Sequence, residues 1–307
     1  MTSTTKHNAA ASSVATDPET NFLHLSDADF LDKLRAHARF KDRAHKTHHQ
    51  THVPELNARL ELDPPLPSPA KDASLIPPDA PAPNFSNTSP INVVYLGNSM
   101  LERFKTTGAN TNIGKLGDTG SAWNAGVGGD KNESVAYRLT EGLYDMLNNA
   151  KKKRCNVKVW VLASGTNNLH AKRPFRKQDV ESWRVLVEAC LNMAPESTVL
   201  ACDMAYRKDV PDDFVDESNS MLKQVVEETN KTLRTGKTEK ENGARMDETR
   251  DDEHQDDRVK WAESRHLINK DMLVDHVHLN EDGYQIWDAA LWPLVAEVLG
   301  ITTKVDE

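Results

Sequence analysis

The run INVVYLGNSM, residues 91–100, sets the architecture. Apart from Asn92, its first six residues are apolar or β-branched, and a glycine closes them. That is the pattern of a strand covered on both faces. VKVWVLASG (157–165) and STVLACDM (197–204) repeat it, while RVKWAES (258–264) is a weaker version. SAWNAGVGG (121–129) reads as a short strand running into a Gly-rich turn. Helical spacing fills the intervals. Val135, Leu139, Leu143, Met146 and Leu147 predict a helix over 132–149, and residues 178–193 predict another. Phe214, Met221, Leu222, Val225 and Val226 predict one over 213–234, and Ile286, Trp287, Leu291, Leu294, Val295 and Val298 one over 281–299. Strand and helix alternate, which implies a parallel sheet with helices on both faces.

Upstream of Ile91 the texture is different. Eleven of the 15 prolines and seven of the 12 histidines fall in residues 1–90. The whole chain of 307 residues is 37% apolar, a low value for two full domains. One domain with a polar arm is the better division. Residues 1–88 are read as a largely disordered His/Pro-rich arm, and 89–301 as the folded domain. Ser26, ahead of Asp29 and Phe30, predicts an N-cap and one amphipathic helix within 22–45. Nine prolines in 63–90 predict an extended, semi-rigid linker. Removal of residues 1–86 is expected to leave the domain folded. A charged stretch, 231–260, carries 17 charged residues in 30 and is read as a solvated surface insertion.

Several function classes drop out. No apolar run approaches the roughly 20 residues that span a bilayer. The N-terminus lacks the charged-then-apolar layout of a signal peptide. A net charge of −9 argues against binding to nucleic acid. Cys155, Cys190 and Cys202 are odd in number and widely spaced, and are expected as buried thiols. These features predict a cytoplasmic location, with the nucleus as an alternative.

In open parallel sheets, ligands bind beyond the carboxyl ends of the strands. Four polar segments would meet there: Gly97-Asn98-Ser99, Asn124 to Asp130, Gly165-Thr166-Asn167-Asn168, and Asp275-His276-Val277-His278-Leu279-Asn280. Ser99 would sit at a strand-to-helix turn, and a serine hydroxyl needs a base to become a nucleophile. His278 suits that role, and Asp275, three residues earlier, can orient the imidazole. Asp42…His45 and Asp251…His254 share the Asp-x-x-His spacing but lie in polar segments with no apolar helix behind them. His276 is read as a bystander. Ser99 lacks the second glycine of a nucleophile elbow, since residue 101 is leucine, and Gly126 to Lys131 lacks the third glycine of a dinucleotide loop and the Gly-Lys-Ser/Thr of a phosphate loop. His45, His48, His49 and His52 could hold a transition metal weakly, and are read first as clustered histidines on the arm.

This ordered set resembles the SGNH, or GDSL-type, hydrolases over about residues 90–300. The wording is nearest to the platelet-activating-factor acetylhydrolase catalytic subunits, through the Gly-Gly-Asp turn ending at Asp130 and the Gly-Thr-Asn-Asn segment ending at Asn168. The resemblance implies a flavodoxin-like, three-layer α/β/α sandwich of about five parallel strands. It implies Ser99 as nucleophile, Asp275 and His278 as its partners, and an oxyanion hole from Ser99, Gly129 and Asn167. It also implies no metal or other cofactor, and a homodimer. Asn98 departs from the family, which usually has Asp before the nucleophile.

The expected activity is therefore a serine esterase acting on a small-molecule or lipid ester through an acyl-enzyme on Ser99. The small residues at the active edge and the acetylhydrolase likeness favour a short, acetyl-like acyl group. A carbohydrate deacetylase or acyltransferase of the same fold is one alternative. A catalytically silent binding protein, suggested by Asn98, the arm and the insertion, is another.

Overall fold

Strand β1 (Ile91–Gly97) is flanked by β2 (Ala122–Gly126) and β3 (Cys155–Ala163), and β4 (Thr198–Cys202) and β5 (Val259–Ala262) continue beyond β3. The order is β2-β1-β3-β4-β5, and every neighbouring pair is parallel. The computed structural model describes residues 22–60, 89–241 and 257–302. The segment 1–20, most of the proline-rich linker and the middle of the charged insertion lie outside the described residues.

Successive residues of a strand point to opposite faces, so one apolar run feeds two cores. Val94 and Leu96 of β1 join Trp160 and Leu162 of β3 on one face, while Val93 and Tyr95 join Val159 and Val161 on the other. The first core is closed by α6 (Asn132–Arg138), α7 (Tyr144–Asn148), α8 (Lys177–Met193) and α9 (Asp212–Glu241). The second is closed by α4 (Ser99–Glu102), α5 (Asn112–Asp118) and α10 (Glu281–Leu299). The result is the expected three-layer α/β/α sandwich with the flavodoxin-like strand order. Cys155, Cys190 and Cys202 are free and buried.

Much of the segment expected as a disordered arm is helical and packed. It forms α1 (Asp27–His37), α2 (Asp42–Thr47), a π-helical turn (His48–His52) and α3 (Val53–Leu60). Ser26 caps α1 as its sequence suggests, accepting from the Asp29 amide. α1 lies within 22–45, where one helix is expected; it ends at His37, Ala38 is extended, and the Arg39 amide donates to the Glu133 carbonyl at 2.9 Å. Phe22, Phe30, Leu34, Val53, Leu56 and Leu60 all belong to the first core. The boundary drawn at residue 88 therefore moves, because residues 22–60 are part of the folded body.

The reason is a stripe that hydrophobicity alone does not reveal. Ala44, His48, His52, Leu56 and Leu60 recur every fourth residue and are all fully buried. On a regular helix a four-residue repeat drifts by about 40° per step. The wider π turn at His48–His52 takes up that drift just before Pro54, whose nitrogen has no hydrogen to donate.

Two smaller corrections follow. The helix expected over 132–149 is interrupted by a π-helical turn, Leu139–Leu143, in which Gly142 has φ of 117°. The stretch expected as an insertion from 231 begins as a continuation of α9, which buries Leu233.

Candidate active site

The carboxyl edge of β1 is built so that the chain turns sharply into α4. At Gly97 a Cβ would lie 1.9 Å from the Ala163 carbonyl oxygen of β3, so only glycine fits. Asn98 is the N-cap of α4, and its side-chain oxygen accepts from the Met100 amide at 2.9 Å. A carboxylate oxygen could cap the helix in the same way, and an amide oxygen suffices. Ser99 thus starts the helix with its hydroxyl facing the loop before α10.

That loop carries the other two residues. Lys208, after β4, braces it: its amide donates to the His276 carbonyl at 2.8 Å and its ammonium to the Leu273 carbonyl at 2.9 Å. Leu273 and Leu279 close the loop as an antiparallel bridge. Asp275 then folds back on its own turn, its Oδ1 accepting from the amides of Val277 and His278, each at 2.8 Å. Its Oδ2 lies 2.6 Å from His278 Nδ1, and His278 Nε2 lies 2.8 Å from Ser99 Oγ. Desolvation alone would push the Asp275 carboxyl up. It is outweighed by the hydrogen bonds from the His278 ring and from the two amides, and the carboxyl is held below its ordinary range. Asp275 is therefore a carboxylate, and its bond to Nδ1 leaves the Nε2 lone pair directed at Ser99. His276 is exposed, and its carbonyl accepts from the Lys208 amide.

Gly129 and Asn167 follow β2 and β3, the two strands that flank β1, so their loops border the Ser99 turn on either side. Gly129 has φ of 74°, a left-handed conformation that favours glycine. Asn167 Nδ2 donates to the Asp130 carbonyl at 2.8 Å and ties the two loops together.

Beneath them lie residues whose part the sequence did not disclose. Arg138 is completely buried. It donates to Asp130 Oδ2 at 2.9 Å, to the Ala125 carbonyl at 2.9 Å and to the Gly97 carbonyl at 3.2 Å. One guanidinium thus holds the ends of β1 and β2 and the turn after β2. Burial pushes the Asp130 carboxyl up, and the Arg138 charge opposes that shift. Asn132 is a second such residue. Its amide nitrogen donates to Asn168 Oδ1 at 3.0 Å, and its Oδ1 accepts from Ser164 Oγ at 2.7 Å. The available signal was an arginine set at core spacing, between Val135 and Leu139, in an otherwise apolar stripe.

The N-terminal segment also reaches this edge. Lys41 Nζ donates to the Gly129 carbonyl and lies 4.0 Å from Asp130 Oδ1. Arg43 pairs with Glu102 of α4 at 3.1 Å. A Cβ on Gly128 would come within 2.6 Å of the Arg43 guanidinium. So the loop expected to bind the oxyanion is braced from within by Arg138 and from outside by Lys41 and Arg43.

A small cavity lies beyond the ends of β3 and β4, lined by Met100, Ala163, Thr166, Asp203, Tyr206 and Val277 among others, with about 10 Å³ of free space. That is room for about one water. No helix among the described residues is long and apolar enough to cross a membrane.

Fold and site together define a doubly wound, parallel α/β protein with a Ser–His–Asp relay at the carboxyl edge of its sheet. No family profile matches the chain, and neither does any curated protein. Solved structures to which it is similar include an acetyl xylan esterase, with 16% identity and a TM-score of 0.47 over 67% of this chain and 100% of that one. A GDSL-like lipase from Bacteroides thetaiotaomicron shares 14% identity, with a TM-score of 0.42 over 69% and 93%. The lipase/acylhydrolase from Enterococcus faecalis shares 14% identity, with a TM-score of 0.43 over 71% and 100%.

Proposed function

We propose that the protein is a serine hydrolase of carboxylic esters. The observation that carries this reading is the continuous relay from Asp275 Oδ2 through His278 to Ser99 Oγ, with contacts of 2.6 and 2.8 Å. His278 Nε2 takes the Ser99 proton as Oγ attacks the ester carbonyl, and returns it to the leaving alkoxide. The serine is then acylated. A water molecule, deprotonated by the same nitrogen, attacks the acyl-enzyme and releases the acid. Asp275 stays ionised and stabilises the imidazolium formed in both steps. Negative charge on the carbonyl oxygen would be met by the amides of Ser99 and Gly129 and by the Asn167 side chain. One such donor is typically worth about 10²–10³ in rate.

The small residues at the active edge, Gly128, Gly129 and Gly165 among them, support a short acyl group, acetyl in size. Asn98 supports activity rather than silence, since it performs the capping that positions Ser99.

The test is hydrolysis of p-nitrophenyl esters of increasing chain length by wild type and by Ser99→Ala. Wild type should prefer acetate, and Ser99→Ala should lose at least about 10³-fold in kcat/KM with its fold unchanged. A fluorophosphonate probe should label wild type and not the variant. Equal rates in the two proteins, or no labelling of folded wild type, would end this reading.

A further inference from the structure

The four clustered histidines of the N-terminal segment divide into two pairs with different surroundings. His48 and His52 point inward: both are fully buried, and His48 Nε2 is 3.0 Å from the Glu141 carbonyl oxygen. His45 and His49 are only half-buried and lie on another face. They stand four residues apart across the start of the π turn, with ring centroids 4.3 Å apart. Opposite them, the π turn Leu139–Leu143 presents the Glu141 carboxylate to solvent. One ligand atom from each of His45, His49 and Glu141 lies within 4.8 Å of the other two.

We propose that His45, His49 and Glu141 form a structural site for a divalent transition-metal ion, with zinc the best match, which staples residues 42–52 to the helical stretch 132–148. Two imidazoles and a carboxylate are donors that zinc takes at about 2.0–2.2 Å, usually with a fourth ligand completing a tetrahedron. In such a tetrahedron the donor atoms stand about 3.3 Å apart. His49 Nε2 and Glu141 Oε2 are 3.8 Å apart, so a small rotation of an exposed carboxylate closes the gap. Because Glu141 is exposed, the ion has an entry path and the fourth position is open to water.

One neighbouring hydrogen bond favours the metal-binding form of His45. The Tyr137 hydroxyl lies 2.9 Å from His45 Nδ1. With the phenol oxygen accepting from Nδ1–H, the lone pair of His45 is on Nε2. Metal-binding histidines are commonly oriented by such a bond through their other ring nitrogen. Tyr137 thus acts on His45 as a positioning residue. The site is separate from the Ser–His–Asp relay, and its existence does not depend on the esterase reading.

The full-length protein, stripped with EDTA, should be titrated with zinc chloride by calorimetry and followed by thermal unfolding. Wild type should bind one zinc ion per chain and unfold at a higher temperature when zinc is present. His49→Ala and Glu141→Gln should each weaken binding at least about tenfold and abolish the thermal shift, and Tyr137→Phe should weaken it by about 10- to 100-fold or less. Glu141→Gln keeps a surface residue of the same shape, so its fold, checked by circular dichroism, should match wild type. His24→Ala, which alters an exposed histidine elsewhere, should bind as wild type does. Cobalt in place of zinc should give a visible ligand-field band that His49→Ala loses. Absence of zinc binding to wild type, or binding that survives both His49→Ala and Glu141→Gln, would overturn the proposal.

Discussion

β1 and the inward stripe of the helical stretch from Asp42 to Leu60 are both buried, yet they are coded differently. β1 sits between two parallel strands with helices on both faces, so nearly every side chain is apolar. The helical stretch presents one stripe to the core, and two of its five fully buried positions, spaced four residues apart, are histidine. Burial between layers is written in composition, whereas burial of a peripheral helix is written only in spacing. Where histidine fills that spacing, a core element looks like a solvated one.

That contrast can be broken by deletion. Removing residues 1–60 strips Phe30, Leu34, Leu56 and Leu60 from the first core, and we expect little or no soluble folded protein. The milder Leu56→Ala should destabilise by about 2–5 kcal/mol in urea unfolding. A fully stable truncated protein would show that the stretch is ornament.

The next effect lies where the two regions meet, under the active edge. Arg138→Met leaves Asp130 buried without its guanidinium, and breaking such a pair costs about 3–5 kcal/mol. Esterase activity should fall along with stability, because the same side chain holds the Gly97 and Ala125 carbonyls. Lys41→Met should separate the two quantities. It removes an outer brace on Gly129, so kcat should drop about tenfold from misplacement of the loop while the melting temperature barely moves. Unchanged kcat would mean that the N-terminal segment serves the fold alone.

The smallest effect tests the histidine stripe. Burial holds His52 well below its ordinary 6.5 in the folded chain. The unfolded chain therefore binds a proton more readily, and the stability present above that pH is lost as the pH falls through and below it. His52→Leu removes this loss. Its melting temperature should exceed that of wild type by more at about pH 5 than at about pH 8.

How far the chain could be read without coordinates follows from the same physics. All five strands and the main helices on both faces were legible, because buried parallel strands and amphipathic helices are strongly patterned. Ser99, Asp275 and His278 were legible too, and the structure brings their reacting atoms together. Gly129 and Asn167 were placed in the loops that border Ser99. Arg138, Asn132 and Lys41 were not legible as parts of this edge. Each acts through contacts with segments distant in sequence, and nothing local marks a polar residue as a brace. The π turn at His48–His52 was hidden for a related reason, since only its packing reveals the re-phasing.

Arg59 of α3 carries one more consequence. Its guanidinium donates to the carbonyls of Gly120 and Ala122, at the start of β2. β2 is the outermost strand of the sheet on that side. A bare outer strand offers free backbone groups to a passing chain and invites self-association. With Arg59 laid across its entrance and α3 alongside, the sheet cannot readily be extended there by another molecule. Loosening α3 would therefore cost solubility as well as stability, and aggregation that begins at β2 is the form that cost would take.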